Sequence, residues 1–252
     1  MIIHLPLVII RIRRRNYDTH LTYSKLDAWA KFKDFQPRIR NQIIQRGALD
    51  RIMIGLNGKT RAATSDRTAN PLLQDVAIGW LQKYRNEAAS RVMAEVKAGT
   101  KTIKVGESVT TADGYKNLDA LVFDAVNNLL EPWFQGDTKL VAIVGADLLA
   151  DKYFPLINNQ PASTEKLATD LIISQKRIGG LQAMRVPFMP AGAIFITRLD
   201  NLSLYYQNSA RRRTVIDNAK RDRIEIYESS NDAFVIENYG AGCLIENIAI
   251  VV

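Results

Sequence analysis

The amino-acid sequence predicts an α+β fold, and three observations carry that expectation. Apolar residues recur at helical spacing through most of the chain up to Ser174. Candidate strands crowd the chain after Leu181, separated by turn residues. Helices early and strands late do not alternate as a parallel α/β sheet requires.

The first stretch, "MIIHLPLVIIRIRRR", is rich in β-branched residues and reads as a strand. It is not a signal peptide, because its arginines follow the apolar run and no small-residue cleavage site comes after it. It is also shorter than the ~20 residues that cross a bilayer. A helical region starts near Ser24, with Leu26, Trp29 and Phe32 on one side. Near Asp34 the chain bends into a longer helix that Asp34 can cap and whose first turn accommodates Pro37. Ile39, Ile43, Leu49, Ile52, Met53 and Leu56 extend it, and Asn57 with Gly58 stops it. At ~1.5 Å per residue that helix spans on the order of 30 Å, the length of a structural spine.

A polar stretch, "KTRAATSDRTA", leads to "NPLLQDVAIGWLQKYRNEA". This segment is expected as one helix from Asn70, with Leu73, Val76, Ala77, Trp80, Leu81 and Tyr84 as its apolar stripe. "EVKAGTKTIKVGESVTTADGY" reads as a hairpin or an exposed loop. Asn117 caps a helix whose Leu118, Leu121, Val122, Ala125 and Leu129 face inward. "KLVAIVGADLLADKYF" reads as a buried strand, a glycine turn and a helix, and a further helix is expected from Ser163 to Ser174. "LQAMRVPF", "AIFITRL", "LSLYYQ", "RIEIYES" and "AFVIENYGAGCLIENIAIVV" are the late strands.

The formal charge of +8 favours a polyanionic partner. Its basic groups are Arg11 with Arg13–Arg15, Arg211–Arg213, and Lys220 with Arg221 and Arg223. Solvated faces or ion-pair partners are the simpler account of them, and no aromatic residues interleave as a single-strand groove needs. Reaction chemistry is not legible. The one cysteine, Cys243, lies in an apolar strand and excludes an internal disulfide or a cysteine-held zinc. His4 and His20 show no ligand spacing. "GLNGKT" has only two residues between its glycines where a phosphate loop has four, and "VAIVGAD" has one glycine of a dinucleotide fingerprint. Asp147 and Asp151 sit four apart, as surface carboxylates commonly do. No catalytic, cofactor-binding or metal-ligating residue is assigned, and the chain is read as a non-enzyme without cofactors.

Several stretches nevertheless occur in a telling order: "NYDTHLTYSKLDAWAKFKDFQPRIRNQIIQRGALDRIMIGLNG", "TSDRTANPLLQDVAIGWLQKYRNEA", "NNLLEPWF", "LLADKYFPLIN", "LIISQKRIGGL", "LSLYYQ" and "YGAGCLIE". Together they resemble the major capsid protein of contractile-tailed temperate phages of the P-two type, from about Asn16 to the C-terminus. The resemblance implies the tailed-phage capsid fold, with a spine helix at about 35–56. It places the remnant of an extended loop and a leading strand at 1–23, a peripheral domain at 24–117 closed by strands at 223–252, and an axial domain at 118–222. Met1 to about Arg14 does not match the family pattern, so the resemblance implies a chain shortened at its N-terminus.

The function so implied is a head protein of a tailed phage or prophage. It would self-assemble into hexamers and pentamers of an icosahedral shell around double-stranded DNA, with scaffolding and portal proteins as partners and no membrane. It would be found in the virion, and in the bacterial host cytoplasm during assembly. The alternatives are a monomeric or dimeric basic nucleic-acid-binding protein and an assembly-defective prophage remnant. Exposure and charge nominate Lys59, Arg61, Arg67, Arg211, Arg212 and Arg213 as subunit or DNA contacts.

Overall fold

The computed structural model describes residue 10, residues 12–150, residue 152 and residues 176–251. The helix expected at Ser163–Ser174 and most of the leading apolar stretch lie outside the described residues. In chain order the fold opens with β1 (Arg13–Asn16), β2 (Thr19–Thr22), α1 (Tyr23–Ala30) and α2 (Phe35–Asn57). It continues with α3 (Trp80–Glu87), β3 (Val92–Met93), β4 (Ile103–Val105), β5 (Gly114–Tyr115), α4 (Leu118–Leu129) and β6 (Leu140–Val144). The later part holds β7 (Arg177–Ile178), β8 (Leu181–Arg185), β9 (Ile194–Arg198), β10 (Leu202–Tyr206), β11 (Arg212–Asn218) and β12 (Arg223–Ile236), then β13 (Gly242–Ile245) and β14 (Ile248–Ile250).

By contact density the chain forms two compact units, Met1–Arg51 with Ser203–Val235 and Ile52–Leu202 with Ile236–Val252. The first is organised on the fourteen residues of β12. Ser229 pairs with both Asn16 of β1 and Arg212 of β11, so β1 and β11 flank it on opposite edges. β2 joins the edge that β1 occupies, through Thr22 opposite Arg223. α2 begins where the Asp34 backbone carbonyl accepts the Arg38 amide at 3.1 Å, while its carboxylate is taken by the Arg38 side chain at 2.7 Å and not by a backbone amide as the expected cap would have it.

The second unit is a six-stranded sheet in the order β3-β13-β9-β6-β8-β7, with a parallel three-stranded sheet, β14-β4-β5. Strand side chains alternate between faces, which explains two cores on one sheet. Leu140, Ala142 and Val144 of β6 join Ile194, Ile196, Cys243 and the α4 residues Leu121, Val122 and Ala125. Val141 and Ile143 face the other way, with Phe195, Leu244, Leu81, Tyr84 and Leu56. A strand buried on both faces needs an unbroken apolar run, and "LVAIV" supplies it. α4 is as expected, with the Asn117 side chain accepting from the Ala120 amide at 2.8 Å. Burial on α2 is concentrated in Met53, Ile54, Gly55 and Leu56, at its C-terminal end.

Three expectations are corrected. Residues 70–79 are not helical; the helix starts only at Trp80. Leu73 takes a positive φ of 57°, and the carbonyls of Gln74 and Asp75 accept from Lys59, Thr60 and Ala62. That strand-like exchange uses backbone groups a helix would keep for itself, so tertiary pairing overrides the periodicity. Residues 95–115 do not form a hairpin, because β4 pairs parallel to both β5 and β14, with Ile103 and Val105 buried. "RIEIYES" and "AFVI" are one continuous strand, and the Arg211–Arg213 cluster runs into a strand of its own, β11.

Candidate interaction surfaces

The nominated basic residues fall in both units. In the second, Lys59, Arg61 and Arg67 lie exposed on a segment held against 74–76. Asp75 organises that segment from a buried position: its carboxylate accepts the Ser65 hydroxyl at 2.9 Å and the Asp66 amide at 2.8 Å. Those donors, the Asp66 amide first, hold its carboxyl below the usual carboxylate range. Arg61 spends one guanidinium nitrogen on the Val76 carbonyl at 2.8 Å. Lys59 and Arg67 present their charges to solvent.

In the first unit Arg211 pairs with Glu228 at 2.6 Å, while Arg212 and Arg213 stand exposed at the start of β11. Lys220 and Arg221 lie at the far end of the same hairpin, beyond the seven residues of β11. Arg223 is taken by Glu225 at 2.6 Å. Part of the basic excess is thus neutralised within the chain, and Arg212, Arg213, Lys220 and Arg221 form an exposed positive rim along one hairpin.

The first unit also contains an ionic cluster that sequence reasoning missed. Asp232 of β12, 1% exposed, lies 3.6 Å from Arg15 of β1 and 3.8 Å from Arg51 of α2. The Tyr17 hydroxyl donates to the same carboxylate at 3.3 Å. The Arg15 guanidinium sits 4.6 Å from the centre of the Phe234 ring, and that of Arg51 5.0 Å from the Tyr17 ring. Burial raises the Tyr17 pKa, which keeps it a neutral donor. No local pattern reveals this cluster, since 217 positions separate Arg15 from Asp232.

The reaction-like motifs have structural explanations. Gly55 lies where a β-carbon would fall 2.3 Å from the Trp80 ring, and Gly58 where one would fall 2.1 Å from the Ala77 carbonyl oxygen. Close packing, not phosphate, requires both glycines. Asp147 accepts the Gly192 amide at 2.7 Å, and Asp151 lies outside the described residues. Cys243 is fully buried, and burial pushes its thiol pKa far up, away from nucleophilic chemistry. Among the described residues no cluster of His, Cys, Asp or Glu could hold a metal ion, and no helix is long and apolar enough to cross a membrane.

Comparison with known proteins bears on these surfaces. Residues 9–248 match the family described as phage major capsid protein, P2 family. The capsid protein of Escherichia phage P2 is 55% identical over 240 residues, which are 93% of this chain and 66% of that protein. The major capsid protein of Serratia phage KSP20 is 41% identical over 239 residues, 94% of this chain and 68% of that protein. The chain thus spans about two thirds of the length of these relatives. Among solved structures, a chain of the satellite phage P4 procapsid that includes the size determination protein matches with a TM-score of 0.87 at 53% identity. The match covers 96% of this chain and 72% of that one.

Proposed function

The chain belongs to the P2 family of phage major capsid proteins, and on that premise we propose that its copies join into hexamers and pentamers and tile an icosahedral shell around double-stranded DNA. The observation that carries this reading is the match to a procapsid chain over 96% of the residues at a TM-score of 0.87. Closed rings follow from repeated burial of the same surface, with symmetry setting the closure. Such a subunit needs no reaction centre, so the reading includes no enzymatic activity and no cofactor. Scaffolding and portal proteins are its further partners. Assembly takes place in the host cytoplasm and the product is the virion.

The peripheral part at 24–117 and 223–252 and the axial part at 118–222 belong to this proposal. Contacts within one chain group the residues differently, since Ser203–Val235 lies in the same unit as the first 51 residues. Placement about a symmetry axis is a property of the assembly and is read there. Lys59, Arg67, Arg212 and Arg213 are exposed for contact with phosphates or neighbouring carboxylates, and Arg61 and Arg211 order the backbone and hairpin beside them.

Negative-stain microscopy of the purified full chain tests the proposal. Rings or shells are expected. Dispersed single chains at every concentration would overturn it, and steep salt-dependent DNA binding by that species would favour the nucleic-acid-binding alternative.

A further inference from the structure

β11 is bonded on one side only. It pairs antiparallel with β12 in an unbroken register from Arg212 opposite Ser229 to Asn218 opposite Arg223, without a bulge. No strand among the described residues pairs with its other edge. Six of its seven residues are exposed, including Val215 at 57% and Ile216 at 46%. An open edge of this length with apolar side chains is a template for another strand.

We propose that the outer edge of β11 pairs antiparallel with β11 of a second copy of this chain, about a two-fold axis through Val215. The edge is complementary to itself. Both copies offer the same edge, so residues whose N–H and C=O point outward must face their like, each N–H donating to the other copy's C=O, and the axis has to pass through a residue. With the axis at Val215, Arg213 of each copy faces Asp217 of the other, Thr214 faces Ile216 and Arg212 faces Asn218. Facing residues in such a ladder have β-carbons about 4.5–5.5 Å apart, within reach for two Arg–Asp pairs.

The other arrangements lose this match. An axis at Ile216 leaves Arg213 and Asp217 without opposite charges. An axis at Thr214 offers Asp217 only Arg211, whose guanidinium already holds Glu228 at 2.6 Å. Parallel pairing in register sets Arg213 on Arg213 and Asp217 on Asp217. Charges on a sheet edge commonly keep edges apart. Here opposite charges stand symmetrically about Val215, so they attract in one register and oppose the rest. Asp217 accepts the Tyr23 hydroxyl through one oxygen, and its second oxygen serves the partner.

The pairing is read from the strand itself and rests on the shell reading only for its place in an assembly, as a contact linking two subunits by an isologous interface. Its test is cysteine crosslinking of the full chain. Residues facing each other in an antiparallel ladder have α-carbons about 4.5–5.5 Å apart, inside the disulfide range. The native Cys243 is buried and does not compete. Under mild oxidation V215C is expected to run at twice the 28.3 kDa of one chain, while T214C, which faces Ile216 of its partner, stays at one. No V215C dimer, or equal crosslinking of V215C and T214C, overturns the proposal.

Charge reversal adds a second readout. R213D alone and D217R alone each lose the dimer, because both partners then present like charges. Mixing the two restores it, since every facing pair becomes Asp against Arg. Failure of the mixture to dimerise while unaltered chain does so overturns the register. Particles that lack the V215C crosslink refute this pairing and leave the shell reading intact. The crosslink in a sample free of particles does the reverse.

Discussion

Replacing Asp232 with alanine probes whether an ionic cluster holds the first unit together. At 3.6 and 3.8 Å from Arg15 and Arg51, the gross attraction is about 4 kcal/mol per pair at an effective dielectric of about 20. The Arg51 side chain is 33% exposed, so its share falls towards the surface range of about 0–1 kcal/mol. Arg15 is 3% exposed and has no such relief. Removing Asp232 leaves that guanidinium buried without its carboxylate, a loss of about 3–5 kcal/mol. Against a typical total of about 5–15 kcal/mol this is a large fraction. The assay is urea unfolding followed by far-ultraviolet circular dichroism. The joint change R15M with D232L removes both charges and fills the space with apolar atoms, and is expected within about 1 kcal/mol of the unaltered chain. A cost below about 1 kcal/mol for D232A, or equal costs for the single and joint variants, would refute the reasoning.

Two glycines of α2 predict opposite signs for the same substitution. A β-carbon at Gly47 meets nothing within 4 Å, so G47A is expected to stabilise by about 0.5–1 kcal/mol. At Gly55 it meets the Trp80 ring at 2.3 Å, so G55A destabilises by about 1–3 kcal/mol despite the helical gain; thermal melts that rank G55A with or above G47A would contradict this. Glu225 supplies a pH dependence. The Tyr227 hydroxyl first, then Arg223, pull its pKa from 4.5 down to about 2. A depressed carboxylate stabilises the fold above its unfolded pKa, so that contribution is complete above pH 4.5 and lost as pH falls towards 2. Denaturant titrations of E225Q are expected to show a shallower loss of stability across that window, and an unchanged slope would count against the assignment.

The spine helix is legible because its signals are local: Pro37, the apolar recurrence and Asn57 lie within its span, and Asp34 and Gly58 stand immediately beside its ends. α4 and β6 were legible for the same reason, one through a cap and a stripe and the other through an unbroken apolar run. The segment 70–79 misled because its helical stripe is real up to Trp80, yet Gln74 and Asp75 give their carbonyls to a strand-like neighbour fifteen residues upstream. β4 and β5 read as a hairpin because no sequence pattern marks parallel pairing through β14 near the chain's end. The arginines of 211–213 showed their charge but not their strand, which exists only through its register with β12. The Arg15–Asp232–Arg51 cluster was invisible throughout, since its members come from β1, β12 and α2.

The central claim is that this chain's folding energy builds a surface that closes on copies of itself. Mass photometry of the purified chain over a range of concentrations tests it most directly. The account predicts populations at five and six times 28.3 kDa, and larger closed particles beyond them. A single population at the mass of one chain, unchanged as concentration rises, would contradict it.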